Sequence, residues 1–186
     1  NLLRSSKAQN YLRGRCISRD VMEIYNLGFD PADEVVLFPV YSRKGDVLFY
    51  KSRSLVGKHF FNAKDIDKTA AVYGLYQTLE AKIPDSTEIW LVESEIDALS
   101  LVSKGILAWA FMGSDISEKQ IKEMCQSPYR RFVIATDNDE AGRKAARRIK
   151  DKLIPLGFRF FNLKWLTDLK DVNELIQNYG DDFEDY

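Results

Sequence analysis

From residue 85 onward short β-rich runs alternate with stretches of helix length, and this alternation limits the possible folds more than any other feature. Residues 88–92 read as a strand and 96–104 as a helix closing at Gly105. A strand over 107–111 ends before Gly113, and a helix follows over about 117–126. Residues 131–136 form the next strand, 140–154 a helix and 159–163 a strand. Strands separated by helices of this length pair in parallel and need helices on both faces to cover them. The expectation is an α/β fold with a mostly parallel sheet flanked by helices. Such sheets bind ligands beyond the carboxyl ends of their strands.

The preceding part reads differently. Helices are expected over 4–15 and 18–26, the second capped by Ser18 and stopped by Gly28. Two β-rich runs, 35–40 and 47–50, flank a hairpin turn at 43–46. The stretch 52–68 has no clean period and is rich in Lys, and a short helix is expected over 69–82. Pro84-Asp85-Ser86 interrupts the pattern. The expected division is a smaller α+β subdomain over 1–84, the parallel-sheet domain over 85–180, and an acidic tail over 181–186 that frays.

Net charge is −1 overall, but residues 1–80 carry 12 Lys/Arg and 9 Asp/Glu, leaving 15 and 19 for residues 81–186. A mildly basic part beside an acidic one suits phosphate binding by the first and metal binding by the second. Two solvated surfaces of slightly different charge give the same count. No apolar run is long enough to span a bilayer. Cys16 and Cys125 have no C-x-x-C partner, and with the single His59 they build no structural zinc site. The opening Asn1-Leu2-Leu3-Arg4 reads as part of a longer protein.

Acidic groups follow three of the strands: Glu93 and Asp97 after the first, Asp137 and Asp139 after the run 131–136, and Asp171 after 159–163. Each alone is an ordinary helix cap or first-turn residue. Together at one sheet edge they repel unless a cation lies among them. Oxygen ligands with room for water and phosphate suit Mg²⁺, with Mn²⁺ as the alternative.

The runs Trp90 to Leu99, Met112-Gly113-Ser114, Ala135 to Arg143 and Leu169 to Leu175 resemble a Toprim domain. Asp137-Asn138-Asp139-Glu140-Ala141-Gly142-Arg143 and Lys170-Asp171-Val172-Asn173-Glu174 are most like primases, phage primase–helicases in particular. Tyr11 to Arg15, Leu27-Gly28, Phe38-Pro39-Val40, Lys51-Ser52-Arg53 and Val72 to Tyr76 resemble the N-terminal subdomain of primase catalytic cores in order and spacing.

The resemblance implies a bacterial or phage-type DNA primase catalytic core, making short RNA primers on single-stranded DNA by metal-dependent nucleotidyl transfer. It implies catalytic acids Glu93, Asp137 and Asp139, supported at the metal by Asp97 and Asp171. It also implies a basic cleft of Arg53, Lys58, Asn62 and Lys68 for nucleic acid or nucleotide. These last four fall in or beside the aperiodic stretch, where a solvated loop is the other reading.

The implied partners are single-stranded DNA template, NTPs and a replicative helicase reached through regions outside these residues. The implied location is the cytoplasm of a bacterium or of a phage-infected host. Ser94 stands where the family has Gly after its first Glu, which strains the backbone only if that position needs positive φ. A Toprim nuclease and a non-catalytic Toprim DNA-binding module are the rival readings.

Overall fold

A computed structural model describes residues 2–56, 67 and 69–185. A 3₁₀ turn, Leu2–Arg4, leads into α1 (Ser6–Gly14) and α2 (Arg19–Ile24). Ser5 and Ser18 cap these helices, each hydroxyl accepting a backbone N–H three residues on. The strand β1 (Gly28–Asp30) comes next, then β2 (Val35–Tyr41) and β3 (Val47–Ser54), all antiparallel in the order β1-β2-β3. Gly28 therefore opens a strand instead of stopping a helix. The chain leaves α2 through Asn26, which takes the left-handed conformation itself (φ 49°).

The helix expected over 69–82 is confined to α3 (Leu75–Glu80). Just before it, Tyr73 pairs with Ala110 in an antiparallel bridge. Gly74 makes this close approach possible, because a Cβ there would lie 2.6 Å from the carbonyl oxygen of Ala108.

The remaining elements are β4 (Ile89–Val92), α4 (Glu95–Ser103), β5 (Ala108–Ala110), α5 (Glu118–Cys125), β6 (Arg131–Ile134), α6 (Glu140–Leu153), β7 (Arg159–Asn162) and α7 (Val172–Tyr179). All pairings in this second sheet are parallel, in the order β5-β4-β6-β7. The α/β expectation holds, with a small antiparallel sheet ahead of a parallel sheet flanked by helices.

Alternate strand residues serve two cores, as a pleated sheet covered on both faces requires. Ile89, Leu91, Trp109 and Phe132 pack with Met124 of α5 and Ile149 and Leu153 of α6. Val92, Ala108 and Ala110 pack with Ala98 and Leu101 of α4 and Leu175 and Ile176 of α7. That second core continues into Leu12, Met22, Phe38 and Val40, so apolar packing runs across residue 84 without a break.

The acidic end does not fray. Gly180–Asp185 is a 3₁₀ helix whose Phe183 is buried, its ring edge-on to Trp90 with centroids 6.1 Å apart. Among the described residues no helix is long and apolar enough to cross a membrane.

Candidate active site

β4 and β6 are neighbours, so the residues just past their ends meet. Glu93 accepts the backbone N–H of Asp137 through Oε1 at 3.2 Å, which ties the two strand ends together. Ser94 is extended (φ −117°) and caps α4, so the family's glycine has no left-handed conformation to supply here. Its hydroxyl accepts the N–H of Asp97 at 3.2 Å and donates to Asp97 Oδ2 at 2.6 Å. Asp97 Oδ1 accepts the N–H of Asn173 at 3.1 Å, joining the first turns of α4 and α7.

Asp139 and Asp171 are N-caps, accepting the N–H groups of Gly142 at 2.7 Å and Glu174 at 2.8 Å. The cap reading of these acids is thus correct for two of them. It does not compete with the cluster reading, since capping uses one carboxylate oxygen and leaves the other. Gly142 is sterically required: a Cβ there would lie 2.0 Å from the carbonyl oxygen of Asp137. Thr136 donates to the carbonyl of Gly142 at 3.0 Å, closing the strand-to-helix turn that presents Asp137 and Asp139. Asn138, between the two acids, donates from Nδ2 to the carbonyls of Thr167 and Leu169 and from its backbone to that of Lys170. It thereby pins the segment carrying Asp171 beside Asp137.

Burial and mutual repulsion raise the proton affinity of Asp97, Glu93 and Asp171. Burial pushes Asp97 up to about 7, with the charges of Asp171 and Asp137 adding to it and the bonds from Ser94 and Asn173 opposing it. Glu93 is raised by burial, then by Asp137 and Asp139. Asp171 is raised by burial, then by Glu174 and Asp137. Asp137 is the common neighbour in all three. Lys170 partly offsets this negative charge. Its Nζ lies 3.0 Å from Asp137 Oδ2 and 3.9 Å from Asp171 Oδ2, and its own pKa is raised chiefly by the bond to Asp137.

Among the described residues no three His, Cys, Asp or Glu side chains form a ready-made metal cage. The donor chemistry nonetheless fits a hydrated hard cation. Mg²⁺ keeps several waters and needs only one or two carboxylates beside substrate phosphates. The rim supplies carboxylate oxygens, raised acids and an ammonium drawn in between two of them.

A cleft runs from this rim toward α1 and β3, lined by Tyr11, Arg15 and Arg53 on one side and Asp97, Lys170 and Asp171 on the other. Arg53 shares this cleft with Asp97 and Asp171, whereas Asp137 lines a separate pocket with Arg143 and Arg147. Lys58, Asn62 and Lys68 lie outside the described residues. The cleft walls are joined twice. Arg15 donates to Asn173 Oδ1 at 3.1 Å while Asn173 Nδ2 donates to the carbonyl of Arg15 at 2.7 Å. Lys51 of β3 pairs with the buried Glu95 of α4 at 2.6 Å.

Reasoning from sequence names neither Glu95 nor Lys170 nor Arg15 among the site residues. Lys170 adjoins Asp171 and could have been included on that ground. Nothing near Glu95 in the chain announces a partner 44 residues away.

Comparison with known proteins agrees with this geometry. Residues 90–176, which hold every acid of the rim, match the family described as Toprim-like. An uncharacterised protein of Mycoplasma genitalium, MG010, is 27% identical over 173 residues, covering 91% of this chain and 79% of its own length. The DNA primase of Pseudomonas aeruginosa is 24% identical over 221 residues, covering 94% of this chain; the match spans only 33% of that enzyme.

Among solved structures, a DnaG primase catalytic domain bound to ssDNA superposes with a TM-score of 0.78 at 22% identity, over 97% of this chain and 71% of that one. The primase fragment of the bacteriophage T7 primase-helicase gives 0.68 at 19% identity, over 92% and 70%. The expected leaning toward phage primase–helicases is therefore not supported, because the bacterial fold fits better. The chain is thus similar in sequence and fold to DNA primase catalytic cores, with a Toprim-like match over residues 90–176.

Proposed function

We propose that this chain is a primase catalytic core that synthesises short RNA primers on single-stranded DNA by nucleotidyl transfer. One observation carries the reading: Asp97 and Asp171, at the acidic edge of the parallel sheet, line one cleft with Arg15 and Arg53 of the N-terminal part. A nuclease or a bare DNA-binding module would need the rim but not this particular partner subdomain. In this reading the division at residue 84 is functional. Residues 1–84 supply the phosphate-binding wall, 85–180 the acids, and 181–186 an acidic tail.

Glu93, Asp137 and Asp139 would hold Mg²⁺ or Mn²⁺, with Asp97 and Asp171 orienting them from behind. The bound ion would supply Lewis acidity and neutralise charge on the transferring phosphoryl group. Arg53, Lys58, Asn62 and Lys68 would hold the phosphates of template or nucleotide. The reaction is attack of a primer or nucleotide 3′-hydroxyl on the α-phosphorus of an NTP, with loss of the hydroxyl proton, cleavage of the α–β phosphoanhydride and release of pyrophosphate, which places most of the catalytic demand on positioning and electrostatics. The partners are a DNA template and NTPs, with a helicase engaged by other regions, and the setting is the cytoplasm.

The test runs labelled NTPs on a single-stranded template beside a plasmid-nicking assay, both with Mg²⁺ or Mn²⁺. Metal-dependent dinucleotides without nicking are expected. Nicking without dinucleotides would make the chain a nuclease, and DNA binding with neither product would make it a binding module.

A further inference from the structure

The backbone of Lys170 is fixed on both sides. Its carbonyl accepts the N–H of Asn138 at 2.7 Å, and its own N–H donates to Glu174 Oε2 at 2.9 Å. Its side chain is not fixed in the same way: 60% of it is exposed, although Nζ reaches Asp137 and Asp171. The same side chain lines the cleft that Arg15 and Arg53 enter from the other wall. A clamped backbone carrying a largely exposed side chain, its ammonium beside two carboxylates at the edge of a cleft, can serve two partners in turn. The pair is open to solvent at its lysine end, which keeps its contribution modest and lets a competing cation displace the ammonium.

We propose that Lys170 is a tethered counter-cation that pairs with Asp137 in the metal-free protein and transfers to a phosphate of the nucleoside triphosphate when metal engages the acids. This rests on the reading that the rim binds divalent metal. It goes beyond that reading by giving the site its own internal competitor and a second positive group toward the triphosphate. Two opposed consequences follow. Without nucleotide, the ammonium repels an incoming ion and competes for Asp137. With nucleotide present, it contributes an attractive interaction.

The experiment measures Mn²⁺ affinity of the chain by electron paramagnetic resonance without nucleotide, then ATP affinity at saturating Mg²⁺, for the wild type, Lys170→Met and Lys170→Arg. Lys170→Met should bind Mn²⁺ about three- to fivefold more tightly and ATP about three- to fivefold more weakly, the size expected of an exposed charge pair. Lys170→Arg should stay near the wild type on both. Unchanged affinities for both ligands would overturn the proposal and leave Lys170 a solvated lysine. Tighter Mn²⁺ with unchanged ATP would overturn the transfer. Failure of the underlying metal reading looks different: the wild type would then bind no Mn²⁺ that Asp137→Asn weakens, whatever stands at position 170.

Discussion

The two sheets differ in how their strands are covered, and the chemistry divides along the same line. In the parallel sheet every residue of β5 is buried, β4 and β6 expose almost nothing, and the edge strand β7 lies open. In the antiparallel sheet β2 is almost wholly buried, but β3 exposes Val47, Leu48 and Tyr50 while burying Phe49, Ser52 and Ser54. A strand covered on both faces has little freedom at its carboxyl end, and there Glu93 and Asp137 are joined by a hydrogen bond. A strand covered on one face suits a wall that must meet a long, solvated substrate. Glu93 and Asp137 thus follow strands that are covered on both faces, and Arg53 stands on a less covered one. Lys51–Glu95 and Arg15–Asn173 hold the two at a fixed separation.

The largest expected effect is on that join. Lys51→Met leaves Glu95 buried without a partner, and removing one member of a buried pair costs about 3–5 kcal/mol. The melting temperature should fall steeply, and Lys51→Met/Glu95→Gln together should recover much of the loss. Equal melts for the single and double variants would mean that the pair does not couple the two sheets.

Next comes the rim. Asp137→Asn should reduce NTP incorporation by about 3 kcal/mol of transition-state stabilisation or more, over a hundredfold, while the melt stays at or above the wild-type value. Asp139→Asn should behave likewise, because Asn caps a helix about as well as Asp. A melt that falls in step with activity would reduce these acids to structural groups.

A smaller effect is expected with pH. The pKa of Asp97 in the folded chain is about 7, above its ordinary 3.8, so the fold binds a proton more tightly than the unfolded chain does. The stability this contributes is complete below pH about 3.8 and is lost as pH rises through about 7. In chelator, the wild type should lose stability across that window, and Asp97→Asn should flatten the loss. Identical profiles would show that Asp97 ionises in the fold at little cost.

The smallest effect concerns the basic residues of the N-terminal part. Changing Arg53, Lys58 and Lys68 to Ala should lower the salt dependence of single-stranded DNA binding. The log–log slope should fall by about 0.7 for each phosphate that is no longer neutralised. An unchanged slope would leave this stretch a solvated loop.

What is legible in the sequence follows from the same contrast. The parallel sheet can be read because each strand is a short apolar run ahead of a capped helix, as with Ser117 before α5 and Asp139 before α6. The carboxyl-end rule then places the acids. The strand β1 is not legible: three residues, Gly28–Asp30, all half-buried, offer no period to detect. The segment before α3 reads as helix because the partner of Tyr73 is Ala110, far along the chain. Phe183 reads as part of a frayed end because Asp181, Asp182, Glu184 and Asp185 mask one aromatic anchor. Glu95 escapes notice for a similar reason, since its burial is explained only by Lys51 on the other sheet.

In the proposed reading the acids at the carboxyl edge of the parallel sheet form one cation site. Titrating Mn²⁺ into the chain and following paramagnetic broadening of backbone resonances tests it most directly. Broadening should begin around residues 93–97, 137–139 and 170–171 and should be lost in Asp137→Asn. Broadening confined to other surfaces, with this edge untouched at millimolar-scale metal, would contradict the account.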